Sequence, residues 1–160
     1  MSTSHVTMFL WAAALSSGVM AGVYLAFSGF IMRSFNQLGA AQAIAAMNAI
    51  NITIVRSVFM PVFFASTIFS MCLIVASIVY WDEVGAGVML IAGVVYLMGM
   101  FFCTVVFNVP LNNSLATFKG EAGSLQQVWD QYYKVWTGWN HVRVISSIVT
   151  CITCIWLLSV

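Results

Sequence analysis

The stretch from Leu125 to Cys154 carries most of the side chains that could do chemistry. At 3.6 residues per helical turn, one face of a helix through this stretch collects aromatic, amide and guanidinium groups. That face carries Trp129, Tyr132, Trp136, Asn140 and Arg143, and Ser147, Thr150 and Cys154 continue it. Tryptophan rings offer flat surfaces for stacking, while Asn and Arg donate hydrogen bonds to an oxygen atom. We interpret the Trp, Asn and Arg residues as a functional site and the small polar residues that follow as helix packing.

Two further segments bring amides to the same region. In the run from Asn108 to Asn113, Pro110 is expected to end a helix and leave the amides at a membrane surface. By itself this run is typical of a helix terminator. Asn48 and Asn51 lie one turn apart in an Ala-rich segment. The candidate ligand-binding residues are therefore Asn108, Asn112, Asn113, Trp129, Trp136, Asn48 and Asn51, and the candidate catalytic residues are Arg143, Asn140 and His141.

The composition of the chain decides which kind of fold must position these groups. Of the 160 residues, 62% are hydrophobic and only 6% are charged, against about 25% charged residues in an average soluble domain. Residues 1–32, 57–107 and 144–160 contain no Asn, Gln, Lys or Arg. Such stretches must face lipid or each other, so we expect one integral membrane domain over residues 1–160. The formal net charge of +1 argues against nucleic acid as a partner.

Four apolar segments are long enough to cross a bilayer core of about 30 Å, which needs about 20 helical residues. They are residues 8–32, 58–81, 85–108 and 139–160. The runs lack the alternation of apolar and polar residues that a membrane β-barrel requires. The sequence therefore predicts an all-α bundle of four transmembrane helices.

All five basic residues lie in or beside two connections, residues 33–57 and 109–141. By the positive-inside rule these connections should be cytoplasmic and both termini external, in a multi-pass protein of the inner or plasma membrane. Within them, residues 39–54 and 124–138 are helical in composition but too polar to span, which predicts two short interfacial helices on the cytoplasmic side.

No metal or other cofactor is expected, because the two histidines lie on opposite sides of the membrane core and too few ligands converge. The pair Gly18 and Gly22 can let another helix approach closely, which usually means packing and does not require dimerisation. The oligomeric state therefore stays open, with a homo-oligomer as one alternative, and the lipid bilayer is the expected partner.

Several of these motifs together resemble a known family. They are the run Asn108-Val109-Pro110-Leu111-Asn112-Asn113, then Trp129, Trp136 and Asn140-His141-Val142-Arg143, with Met47-Asn48-Ala49-Ile50-Asn51 upstream. This pattern resembles the anthrone oxygenase-like family of small four-helix membrane proteins, over nearly the whole chain. The resemblance implies a cofactor-free oxygenase that acts on a hydrophobic polycyclic aromatic substrate.

The residues are compatible with that chemistry, since a protein need only hold a flat substrate and stabilise its oxyanion. A general base is less clear, because the helical phase of His141 points it away from the site unless the helix breaks near Gly138. Two alternatives stay open. One is a non-catalytic binding or accessory subunit that holds a lipid or a partner protein. The other is a small transporter, which ranks last because no ionisable residue is expected at mid-membrane.

Overall fold

The computed structural model describes residues 3–119 and 124–160, which form helices joined by short turns. Four helices are long and apolar enough to cross a membrane, and they are called here the first to fourth spans. These are His5–Asn36, Phe59–Val79, Ala86–Thr117 and Leu125–Ser159. A shorter helix, Ala40–Ile54, is called the connecting helix because it joins the first span to the second. The predicted all-helical fold with four spans is confirmed, and the protein is a multi-pass membrane protein.

The fourth span is the centre of the bundle. It packs along the first span and also contacts the third span and the connecting helix, while the second span packs against the first and third. The end of the bundle that carries Arg33, Arg56 and Lys119 is called the basic end. The half of the bundle farther from this end is called the far half. Asp82 and Glu83 lie in the turn at the opposite end. The side of the membrane on which each end lies stays a prediction.

The fourth span corrects one expectation from the sequence. Residues 124–138 do not form a separate interfacial helix, because a single helix runs from Leu125 to Ser159. Gly138 does not break it, since one glycine in a helix costs only about 1 kcal/mol and the polar stripe continues in register on both sides. Only one of the two expected short helices, the connecting helix, is therefore separate. The predicted stripe is buried along this helix from Trp129 to Cys154.

The third span corrects a second expectation, because Pro110 does not end it. The helix continues to Thr117, and a π-helical turn, Thr104–Asn108, comes directly before the segment Val109–Thr117 that holds the proline near its start. A π-helical turn changes which carbonyl each N–H meets, so a residue without an N–H can follow it without breaking the helix. The amides that follow Pro110 therefore lie on a helix, which fixes the directions of their side chains.

The far half is packed closely through small residues. A Cβ added to Gly93 would lie 2.7 Å from the Ser70 backbone oxygen, and one added to Gly99 would lie 2.5 Å from the Ser146 Cβ. Thr150 also donates across to the Ala92 carbonyl oxygen at 3.0 Å. Small residues that allow such close approach are typical of contacts between membrane helices. This packing holds the spans together at one end, so that space between them can open at the other.

Candidate functional site

A cavity of about 370 Å³ lies between the spans in the half near the basic end. The connecting helix contributes part of its wall. Aromatic side chains supply much of the lining: Tyr24, Phe27, Phe59, Phe63, Phe64, Phe101 and Trp136. The polar lining residues are Asn51, Thr104, Asn112, Asn113 and Arg143. Flat apolar walls with a few polar groups are the usual form of a small-molecule site.

Arg143 is the charged group of the cavity, and only 5% of its surface is exposed. Its Nη2 donates to the Asn140 Oδ1 at 2.7 Å, and its Nη1 approaches the Thr104 Oγ1 at 3.5 Å. The Cζ atom lies 4.3 Å from the Tyr24 ring centroid and 5.0 Å from that of Trp136. Both rings stabilise the cation through their π faces. All partners of Arg143 among the described residues are thus electrically neutral.

Asn140 orients the Arg143 guanidinium by a hydrogen bond but does not itself line the cavity. Its Nδ2 donates to the Tyr24 carbonyl oxygen at 2.8 Å and to the Ser28 Oγ at 2.6 Å. Ser28 belongs to a π-helical turn, Phe27–Ile31, in the first span. Because both amide hydrogens are used, the Oδ1 atom must point to Arg143. Wide turns of this kind are common at functional sites, and here one supplies the Ser28 hydroxyl that helps hold Asn140 in place.

A chain of hydrogen bonds joins three elements at the basic end of the cavity. The Tyr132 hydroxyl donates to the Asn112 Oδ1 at 2.8 Å, and the Asn112 Nδ2 donates to the Asn51 Oδ1 at 3.0 Å. These residues lie on the fourth span, the third span and the connecting helix. The Asn51 Nδ2, the Trp136 Nε1 and the Arg143 Nε are buried and have no partner among the described residues. The buried unpaired polar atoms of the cavity wall are thus all hydrogen-bond donors.

Several candidate residues support the cavity without lining it. Asn108 is buried, and its Nδ2 donates to the Trp136 carbonyl oxygen at 3.3 Å. Trp129 donates from Nε1 to the Asn36 Oδ1 at 2.9 Å and stacks on Tyr132. Asn48 is half-buried and lies outside the lining. The contacts of Asn108 and Trp129 hold the walls in position, and none of the three side chains lines the space that a ligand would fill.

His141 lies outside the cavity as well. The fourth span is continuous through Gly138, so the imidazole keeps the helical phase that points it away from the Arg143 face, and it is exposed. In contrast, Arg143, Trp136, Asn112, Asn113 and Asn51 all line the same cavity. The structure thus brings together five of the ten candidate residues.

Sequence reasoning missed most of the aromatic wall. Tyr24, Phe63 and Phe101 lie in spans that are apolar on every face, where a cavity-facing ring has the same sequence signature as a lipid-facing ring. Thr104 was missed as well, because a single threonine in an apolar span does not show whether it faces the cavity. A tyrosine deep in an apolar span was the one available signal, because its hydroxyl needs a partner away from lipid.

Comparison with known proteins gives one match. A family model described as anthrone oxygenase matches residues 52–153, which is more than half of the chain and includes Thr104, Asn112, Trp136, Asn140 and Arg143. No curated protein and no solved structure matches the chain. This match agrees with the resemblance in the sequence motifs, and the chain belongs to the anthrone oxygenase family.

Proposed function

We propose that the protein binds a flat aromatic molecule in this cavity, holds an oxygen of that molecule at Arg143 and catalyses its oxidation by molecular oxygen. The proposed reaction is the conversion of an anthrone to an anthraquinone. The observation that carries this proposal is the placement of a guanidinium with neutral partners at the wall of an aromatic cavity. Family membership supports the same reaction class.

The size and lining of the cavity suit such a ligand. Small-molecule sites have volumes of about 300–1,000 Å³, and this cavity, at about 370 Å³, is at the small end of that range. The rings of Phe27 and Trp136 lie 5.5 Å apart and those of Phe63 and Phe101 lie 5.7 Å apart. Aromatic walls favour flat ligands over branched ones because ring faces stack on one another.

The charge of the cavity points to an anionic oxygen. Burying a cation costs several kcal/mol unless an opposite charge or good hydrogen bonds compensate it. Here the compensation comes from one amide, one hydroxyl and two rings, all neutral. A ligand oxyanion would supply the missing negative charge, and its lone pairs match a wall whose buried unpaired polar atoms are donors.

The reaction then needs little from the protein beyond this stabilisation. Loss of a proton from the ring CH2 of an anthrone leaves an electron pair that delocalises onto the carbonyl oxygen, beside Arg143. The carbon donates electrons to O2 and a C–O bond forms, and the resulting peroxide anion takes a proton from water to give a hydroperoxide. Loss of water breaks the O–O bond and leaves a second carbonyl, so anthrone and O2 give anthraquinone and water. Arg143 lowers the barrier because the negative charge develops next to it.

The proton of the first step passes to water in this scheme, because the described lining residues include no carboxylate, imidazole or amine. The same observation favours a second candidate function, in which the protein binds the aromatic molecule without transforming it. The two functions share a ligand and differ in turnover.

The experiment uses the purified protein in lipid nanodiscs with anthrone under air. We expect oxygen uptake and anthraquinone absorbance to rise faster than in protein-free nanodiscs. Arg143→Lys keeps the charge but replaces a planar fork by a point charge. This variant should weaken the binding of anthraquinone about tenfold. That factor is equivalent to the loss of one charge-assisted hydrogen bond of about 1.5 kcal/mol.

Arg33→Lys is the matched control, since Arg33 is exposed and outside the cavity, and it should behave as the parent protein. Saturable binding of anthraquinone without faster oxidation would favour the non-catalytic function. The absence of both binding and oxidation would contradict the proposal.

A further inference from the structure

The second and third spans separate as they approach the basic end. In the far half they touch at Gly93 and Ser70, where no room remains for a Cβ atom. Their last ring contact joins Phe63 and Phe101, with centroids 5.7 Å apart. Beyond these rings the cavity lies between the two helices, with Phe59 and Met60 on one side and Thr104 and Val105 on the other, and Phe64 lines it beside Phe63. The pair of spans therefore forms a wedge that is closed at one end and open at the other.

Some residues that line the cavity also lie on the outer surface of the bundle. Phe64 is 49% exposed, Val105 is 47% exposed and Val109 is 42% exposed. A side chain that faces both the cavity and the outside marks the rim of an opening. Val55 and Asn113 continue this rim at the basic end, and both are exposed. The opening is a slot along the third span whose rim is apolar except for one amide.

The depth of the slot places its inner end among lipid chains. At a rise of 1.5 Å per residue, Phe64 lies about 8 Å inside the start of the second span. The third span, at 32 residues, is longer than the bilayer core, and Val105 lies one turn past Phe101 toward the basic end, so Val105 is nearer the membrane surface than Phe64. Exposed apolar side chains at this depth of a four-span membrane protein contact acyl chains rather than water.

We propose that this slot is a lateral portal through which a flat, uncharged aromatic molecule passes from one leaflet of the bilayer into the cavity. The identity of the ligand rests on the proposed function, whereas the portal rests only on the packing of the spans. A neutral molecule dissolved in the leaflet passes Phe64 and Val105 and acquires its charge only beside Arg143. The substrate class is thus a membrane-dissolved aromatic compound, taken up without crossing the aqueous phase.

A photolabelling experiment tests the portal without any anthrone. The protein in lipid nanodiscs is equilibrated with 3-trifluoromethyl-3-phenyldiazirine, a small aromatic probe that dissolves in the bilayer, and adducts are located by mass spectrometry after photolysis. Phe63, a buried lining residue, reports the cavity, and Ile68, an exposed residue of the same span outside the lining, reports the lipid surface. We expect both residues to be labelled in the parent protein.

Val105→Trp fills the slot and should lower the Phe63 adduct several-fold relative to the Ile68 adduct. Val106→Trp is the matched control, because Val106 is equally exposed on the same turn but does not line the cavity, and it should leave the ratio unchanged. If Val105→Trp does not fold, Phe64→Ala gives the opposite test: it widens the slot and should raise the Phe63 adduct.

The following labelling results would overturn the portal. They are no Phe63 adduct in the parent protein when Ile68 is labelled, equal ratios in both Trp variants, or no response to Phe64→Ala. Protection of Phe64 and Val105 themselves would mean that a second copy of the chain covers the slot, which also overturns it. Labelling that follows the expected pattern in a protein that neither binds nor oxidises anthrone would leave the portal standing and refute the proposed function.

Discussion

Buried polar side chains behave differently in the two halves of the bundle. In the far half, the Ser17 Oγ donates to the Ala13 carbonyl oxygen at 2.6 Å, and the Ser70 Oγ donates to the Ser66 carbonyl oxygen at 2.9 Å. These bonds stay within one helix, whereas the bond from Thr150 to the Ala92 carbonyl oxygen crosses to the third span. Near the basic end, Asn140 and Asn112 donate to groups on other helices.

This difference explains why one half is tightly packed and the other holds a cavity. A serine that bonds to its own backbone presents a small surface, so a neighbouring helix can approach closely. An amide that reaches a neighbouring helix fixes the distance between two backbones and can hold them apart. The cavity walls therefore depend on a few bonds between helices, whereas the far half depends on the shape of many small contacts.

The largest effect is expected at the charge of the cavity. Arg143→Gln keeps a hydrogen-bonding side chain but removes the cation, so it should lower anthrone oxidation by about 10²- to 10³-fold, as for loss of an oxyanion donor. Arg56→Gln, at an exposed residue outside the cavity, should keep full activity. Oxygen uptake measures both, with thermal melting to show that each variant is folded. Equal activity of the Arg143 variant and the parent would mean that the cavity is not the reaction site.

A smaller effect is expected from a methyl group in the far half. Gly93→Ala places a Cβ within 2.7 Å of both Ile74 and the Ser70 backbone oxygen, and overpacking of this kind costs about 1–3 kcal/mol. In the same helix, Gly87 has open space around it, so Gly87→Ala should be neutral or stabilise by about 0.5–1 kcal/mol through helix propensity. Unfolding in detergent titrations measures both. A matching response of the two variants would contradict close packing at Gly93.

The smallest effect compares one hydrogen-bonding residue from each half. Asn112→Ala removes two bonds between helices, which average about 0.6 kcal/mol each in membrane proteins, so a loss of about 1 kcal/mol is expected. Ser17→Ala removes only a bond within its own helix and should change stability by less than about 0.5 kcal/mol. If Ser17→Ala were the more destabilising of the two, the distinction between the halves would be wrong.

The sequence by itself determined the spans and the stripe on the fourth of them. Hydropathy and helical period are local properties, so they predict that Trp136, Asn140 and Arg143 share one face and that this face is buried. The stripe was predicted correctly even though the fourth helix is longer than expected, because residues on one helix keep their relative directions wherever the helix ends.

Only the tertiary structure decided which residues surround the cavity. Asn108 and Asn112 are one turn apart on the third span, yet one donates to the Trp136 backbone and the other lines the cavity beside Asn51. That difference follows from contacts with neighbouring helices rather than from any local pattern. Tyr24 and Phe63 likewise gain their roles from the spans packed around them, since an aromatic residue in an apolar helix faces lipid or cavity according to contacts between residues far apart in the chain.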